Sequence, residues 1–253
     1  MSEEDAFLIP DWPAPPGVRA LQTTRLGGVS AAPYASFNLG THVGDDARAV
    51  AENRARLREH LPKEPHWLTQ VHGTHVANLD EESETTADAA VSRLPHRVCA
   101  IMTADCLPVL FCEASGAVVA AAHAGWRGLL AGVLENTVAA MRVPPETILA
   151  WLGPAIGPQA FEVGEEVRAA FLRHDPAAAS AFVPHCAQKY LADLGALACK
   201  RLHAVGVTAI FGGGMCTHTE HTRFFSFRRD GCTGRMSSLI WHEGVSEHRT
   251  SLG

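Results

Sequence analysis

Residues 98–124 read VCAIMTADCLPVLFCEASGAVVAAAHA. The stretch holds three apolar runs of strand length, at 98–103, 107–112 and 117–123. Short apolar runs bounded by turn residues read as buried strands. Residues 113–116, EASG, carry turn chemistry and join the second run to the third as a hairpin. With all four in the loop, Cys112 pairs with Ala117, and Cys106 falls opposite His123. A loop one or two residues shorter moves that partner to 124 or 125. Each count brings Cys106 and the His123 region to the open end of one hairpin. A one-residue slip swaps the faces of a strand, so the count sets proximity and leaves geometry open.

Outward from this hairpin, strands and helices mix. Upstream, residues 18–24 alternate as a strand, and 25–30, RLGGVS, form a loop. Asp45 and Asp46 cap a helix over 47–60. Residues 67–71 form a short strand that His72 and Gly73 turn, and the acidic stretch 80–89 reads as a surface loop. Downstream, apolar positions 130, 133, 134, 138 and 141 share one face of a helix over 128–141. A strand at 148–152 leads into the loop Gly153-Pro-Ala-Ile-Gly-Pro158. Helices follow at 165–174 and 191–205, then a strand at 208–211 and a hairpin of 223–229 with 235–241. The pattern predicts an α+β fold: a single layered domain over 1–253, with mixed β-sheets flanked by helices.

Composition narrows the function. Hydrophobic residues at 47% and charged residues at 19% describe a globular chain. The net charge of −6, with no basic block, argues against a nucleic-acid or anionic-membrane surface. The start, MSEEDAFLIPDWPAPPG, lacks the positive region and apolar run of a secretion signal, so the expected compartment is the cytoplasm. Seven cysteines, an odd number, argue against a disulfide framework. Fourteen histidines raise the expectation of metal chemistry.

The chemistry centres on Cys106 and His123. Thiolate and imidazole both bind zinc, and three protein ligands leave a fourth position open. Asp105 is placed to orient a ligand. His72 and His75 compete for the third position, and their spacing does not choose between them. The same Cys–His proximity also serves a metal-free hydrolase with Cys106 as nucleophile and His123 as base. Met102 offers the axial sulfur of a copper site. A second cluster, Cys216-Thr-His218-Thr-Glu-His221, follows three glycines. Arg25, Arg228, Arg229 and Arg235 are candidates for an anion, against the alternative of a solvated hairpin face. Backbone N–H groups of the loop from Gly153 to Gly157 offer an anion cradle, against a plain glycine-rich connection.

Several motifs together resemble one family. They are TTRLGGVS (23–30), NLGTHVGDD (38–46), WLTQVHGTHV (67–76), MTADCLPVLF (102–111), AAHAGWRGLLAG (121–132), WLGPAIGPQAFEVGEEV (151–167) and FFSFRRDGCTGRMSSLIW (224–241). In this order they resemble the laccase-domain, or YfiH-type, purine nucleoside phosphorylases, formerly described as multicopper polyphenol oxidases. The resemblance implies a layered arrangement with mixed sheets, monomeric or weakly dimeric. It implies one zinc held by His72, Cys106 and His123, with copper as the alternative, and it sets His75 aside. The implied substrates are a purine nucleoside (adenosine, inosine, guanosine or methylthioadenosine) and phosphate, giving the base and ribose-1-phosphate. Adenosine deamination is the implied side activity.

On that reading Arg25 is the first choice for phosphate, with Arg229 or Arg235 next, and Gly153 and Gly157 line the substrate. Glu162 or Glu165 serves as a proton shuttle. The competing readings are a Cys–His hydrolase acting in peptidoglycan editing, a copper polyphenol oxidase, and a scaffold with a structural zinc closed by Cys216.

Overall fold

The computed structural model describes residues 6–81 and 85–244. Its strands, in chain order, are β1 Phe7–Leu8, β2 Val18–Thr23, β3 His66–Trp67, β4 Val76–Asn78, β5 Ala89–Ser92, β6 Cys99–Thr103, β7 Leu107–Glu113, β8 Val119–Ala124, β9 Ile148–Leu152, β10 Glu162–Gly164, β11 Phe182–Pro184, β12 Lys189–Ala192, β13 Ala209–Gly212 and β14 Met236–His242. The helices are α1 Ala47–Arg58, α2 Trp126–Ala131, α3 Val133–Met141, α4 Glu165–His174, α5 Leu194–Ala204 and α6 Phe227–Asp230.

Two large sheets carry the fold. One runs β1-β2-β14-β6-β3 and the other β13-β9-β7-β8-β5-β4. A small sheet, β10-β12-β11, stands beside them. Parallel pairs (β3 with β6, β4 with β5, β13 with β9) interrupt otherwise antiparallel ladders, so both large sheets are mixed. The α+β expectation of mixed sheets flanked by helices holds.

Alternation along the opening hairpin assigns the layers. Leu110 and Cys112 of β7 face inward, where they meet Cys99, Ile101 and Ile240 of the other sheet. Val109 and Phe111 face outward, against Leu134 and Val138 of α3. On the far side, Leu21, Ala100 and Leu239 pack on Leu57 of α1. The order is helix, sheet, sheet, helix. Strands buried on both faces read as unbroken apolar runs, which is why 98–103 and 107–112 show no polar alternation.

Register corrects the hairpin count. Cys112 pairs with Val119 and Pro108 with His123. The Glu113 N–H donates to the Val118 carbonyl at 2.9 Å, so the loop is 114–117 rather than 113–116. Continued one step, the ladder sets Cys106 beside Gly125. The shift from position 123 is two residues, so the strand faces are preserved.

Other expectations change for physical reasons. The single helix over 128–141 is two helices, broken at Gly132, whose φ of 106° lies in the left-handed region. The helix over 191–205 begins later: residues 189–192 pair as β12, and the Asp193 side chain caps α5 by accepting from the Ala196 N–H. The hairpin of 223–229 with 235–241 does not form. Residues 227–230 instead make one helical turn, capped by the Ser226 hydroxyl, and β14 inserts between β2 and β6. The stretch 80–89 is not a surface loop throughout, because Ala87, Asp88 and Ala89 are fully buried. The part of that stretch at 82–84 lies outside the described residues.

Candidate active site

One end of the sheet sandwich is where the chain crosses between layers. His72 lies in the crossover from β3 of one sheet to β4 of the other. Cys106 lies in the crossover from β6 to β7, which also changes sheets. His123 projects from the end of β8. Tight crossovers need unusual backbone angles, and His72 (φ 59°) and Asp105 (φ 91°) supply them.

These crossovers bring three donors together. The ligand atoms of His72, Cys106 and His123 all lie within 4.8 Å of one another. Cys106 Sγ is 3.7 Å from His72 Nε2, and the two imidazole rings meet edge to face with centroids 4.7 Å apart. His75 is outside this cluster, as are Cys216, His218 and His221. The Cys216 sulfur accepts from the Gly157 N–H at 3.2 Å, so it does not close a four-ligand site. Met102 lies on the same cavity, and its sulfur faces the Arg54 guanidinium at 3.9 Å.

Asp88 organises the trio and is the residue that sequence reasoning missed. Its Oδ1 lies 2.8 Å from His123 Nδ1. The same carboxylate accepts the backbone N–H groups of Val71, His72 and Gly73 at 3.1, 2.9 and 2.7 Å. One buried side chain thus orients one imidazole and clamps the turn that presents the other. Asp105, expected in that role, does something else. Its carboxylate accepts from the Thr217 hydroxyl and from the Arg228 N–H, both at 2.6 Å, tying the 213–235 segment to the site.

Two glycines of HAGWRG keep the centre open. A Cβ on Gly125 would stand 2.8 Å from the His72 ring and 2.9 Å from Cys106 Sγ. A Cβ on Gly128 would stand 2.8 Å from the Gly73 carbonyl.

Electrostatics follow from this packing. Burial opposes the Cys106 thiolate, but hydrogen bonds and charge from His123 and then His72 outweigh it, bringing the thiol down to about 6. Burial also opposes a charged His123, yet Asp88 and Cys106 raise it to about 9. For Asp88, burial disfavours the charge, and the hydrogen bonds from His123 and Gly73 hold the carboxyl below its usual range.

The trio opens into a cavity of about 790 Å³. Trp126, Ile156, Phe161 and Leu194 form one wall, continuous with the helix-side core. His42, Arg54, Trp67 and Arg235 also line it.

Of the anion and substrate residues expected from sequence, Arg235 and Arg228 line this cavity. Arg25 lies elsewhere: its guanidinium donates to the Ala35 and His221 carbonyls and lies over the Phe225 ring. Arg229 donates to the Thr217, His218 and Phe224 carbonyls and pairs with Asp230. Both are braces of the loop. The N–H of Gly153 is taken by the Pro108 carbonyl and that of Gly157 by Cys216. A Cβ at Gly153 would collide with Pro108 and Trp151, so packing explains this glycine. Glu165 pairs with Arg168 and Glu162 faces His185, and neither lines the cavity.

A family model described as multi-copper polyphenol oxidoreductase laccase matches residues 19–243. The chain belongs to this family, the YfiH-type laccase-domain proteins.

Purine nucleoside phosphorylase of Pseudomonas aeruginosa is 58% identical over 238 residues, covering 94% of this chain and 98% of that protein. Purine nucleoside phosphorylase YfiH of Escherichia coli is 58% identical over 239 residues, covering 93% and 98%. A crystal structure of the Neisseria meningitidis protein NMB0706 superposes with a TM-score of 0.90 at 53% identity, covering 94% of this chain and all of that one. In this YfiH-type chain the crossover cluster has the chemistry of a metal centre. Two imidazoles and an acidified thiol fit a borderline-soft divalent ion, and Asp88 is the outer carboxylate that a ligating histidine usually has.

Proposed function

We propose that this enzyme is a zinc-dependent purine nucleoside phosphorylase, cleaving adenosine, inosine, guanosine or methylthioadenosine with phosphate. The observation that carries the reading is the three-donor cluster lining a cavity of about 790 Å³, ample for a nucleoside and phosphate. The chain around it is 58% identical to proteins named for this activity. His72, Cys106 and His123 would hold the zinc, with copper the less fitting alternative because the Met102 sulfur faces the Arg54 guanidinium. When bound, zinc supplies a Lewis acid that favours the deamination of adenosine.

In phosphorolysis a phosphate oxygen bonds to C1′ while the C1′–N9 bond breaks. The purine leaves with the bonding electrons and takes up a proton. Holding both reactants in line lowers the barrier most, because orientation is settled before the reaction. Trp126 and Phe161 line the cavity and offer aromatic surface against which a purine can pack. The buried pair of His123 and Asp88 holds this side of the cavity so that little reorganises during the reaction.

We also read residues 1–253 as one cytoplasmic domain, monomeric or weakly dimeric, without nucleic-acid or membrane partners. No helix among the described residues is long and apolar enough to cross a membrane.

The test is a turnover assay on purified protein of measured metal content. Base and ribose-1-phosphate should appear from adenosine or inosine only when phosphate is present. Absence of phosphate-dependent base release from every one of the four nucleosides would overturn the reading.

A metal-free hydrolase is the second reading, and the acidified Cys106 thiol favours it. Rapid alkylation of Cys106 in the zinc-loaded protein would support that reading and count against ligation.

A further inference from the structure

The cavity carries a group of basic side chains. His42, Arg54 and Arg235 line it together, and both guanidinium groups lower the His42 imidazole after burial itself does. Both guanidinium groups thus act on His42 across the cavity that all three line.

No carboxylate forms a salt bridge with Arg54 or Arg235 among the described residues. The acid nearest Arg54 in charge, Glu64, accepts instead from the Trp67 indole N–H at 2.9 Å. Asp105, near Arg235, is occupied by Thr217 and the Arg228 N–H. Two guanidinium groups on one cavity with no salt-bridge partner among the described residues, in a chain of net charge −6, are an arrangement that an anion would complete.

Both arginines are also built into place. Arg54 lies over Trp67, 4.1 Å from its centroid, and its Nε–H donates to the Leu39 carbonyl at 3.0 Å. Arg235 donates through one guanidinium nitrogen to the Thr233 and Gly234 carbonyls. Its stem rests on Gly40, where a Cβ would come within 2.9 Å of it. Each guanidinium is thus anchored through part of its donor set, which leaves the remaining N–H groups for a ligand.

The other cations of the cavity are placed differently. Arg127 lies over the Trp126 ring, and Arg228 lies over Phe161 while donating to the Glu162 carbonyl. They border the apolar wall.

We infer that His42, Arg54 and Arg235 form an oxyanion subsite for a phosphate-sized dianion, inorganic phosphate entering and a sugar 1-phosphate leaving. The inference rests on the phosphorylase reading for its role but not for its existence. Arg235 lines the same cavity as His72, Cys106 and His123, so this subsite borders the trio. A nucleoside with its base on the Trp126–Phe161 wall then presents C1′ toward the bound phosphate.

The test uses the metal-loaded full chain and three single variants, Arg54→Gln, Arg235→Gln and His42→Gln. Binding of inorganic phosphate is measured by calorimetry, and base release is measured against phosphate and against nucleoside. Loss of one charged donor should weaken phosphate binding and raise its KM by roughly 10–100-fold for either arginine, with a smaller rise for His42. The KM for nucleoside should move far less. His42 is exposed, so its variant tests the subsite even if an arginine variant fails to fold. Wild-type phosphate affinity and KM retained in all folded variants would overturn the inference. Phosphate binding that depends on these residues, in a protein that releases no base, would support the subsite and overturn the phosphorylase reading alone.

Discussion

Asp88 Oδ1 sits 2.8 Å from His123 Nδ1, and the same carboxylate accepts the N–H of His72 at 2.9 Å. Two of the three donors of the cluster are therefore set by one buried side chain. Asp88→Asn keeps the volume but puts an amide where an acceptor faces the imidazole. Metal affinity should fall by about 10–100-fold, the usual effect of losing such an outer-shell partner. Chelator competition followed by metal analysis reads this directly. Asp88→Ala should do more, since three backbone N–H groups lose their acceptor and the turn at 71–73 loosens. Unchanged metal affinity in both variants would leave Asp88 with a purely structural role.

At Gly125 a methyl group would press directly on two donors of the trio. Its φ of −60° is ordinary, so alanine there meets no backbone penalty. The added Cβ would press on the His72 ring at 2.8 Å and on Cys106 Sγ at 2.9 Å. Gly125→Ala should stay folded, with a near-native melting temperature, yet lose roughly tenfold or more of its metal affinity through displaced donors. A variant that binds metal as the parent does would show that the donors have slack, contrary to the geometry.

Cys106 gives a pH signature once the metal is stripped. Its thiol is lowered to about 6, so the thiolate dominates above that pH and is lost as pH falls through it. Alkylation by iodoacetamide should therefore rise through about pH 6 and level off before pH 8. Cys112, which burial pushes up to about 12, should stay unreactive in the same experiment. Mass spectrometry assigns the sites. Asp88→Asn should move the midpoint upward, because a less basic His123 supports the thiolate less. A midpoint near that of free cysteine would rule out the pairing with the imidazoles. Reloading zinc should suppress the reaction across the range.

The sequence was most legible where local chemistry and tertiary structure agree. Apolar runs at 98–103 and 107–112 are strands because two sheets bury both their faces, and hydrophobicity records that directly. The hairpin count brought Cys106 near His123 despite a two-residue error in register, because an even shift preserves faces. It was less legible where one residue acts at long range. Asp88 lies in an acidic stretch that resembles a solvated loop, and only its 35-residue reach to His123 reveals its role. The signal available was its setting, an acid followed by the apolar run Ala89-Ala-Val91. Likewise Arg25, Arg228, Arg229 and Arg235 look equivalent in sequence. Whether an arginine braces a loop or lines a cavity depends on which carbonyls lie nearby, and no spacing rule records that. Residues 227–230 form a helical turn because the Ser226 hydroxyl caps it, a local device hidden by a strand-like composition.

Gly132 shows how a periodic pattern can conceal a break. Apolar positions continue at helical spacing across it, yet α2 ends and α3 begins there, at φ 106° and ψ 28°. Its N–H closes α2 by donating to the Gly128 carbonyl at 3.0 Å, and its carbonyl opens α3 by accepting from the Asn136 N–H at 3.0 Å. Space is not the constraint, since a Cβ there would sit 3.6 Å from Arg201 and Glu135, an ordinary contact. The cost of Gly132→Ala is thus the left-handed backbone alone, about 1–2 kcal/mol. In a chain of this size each kcal/mol lowers Tm by roughly 2–4 °C. Metal content should not change, because the break lies beyond the turn of helix that carries Gly125 and Gly128. Stabilisation instead of loss would mean that one continuous helix is the better structure, and that the break at Gly132 is not required by the packing of α3 on the sheet.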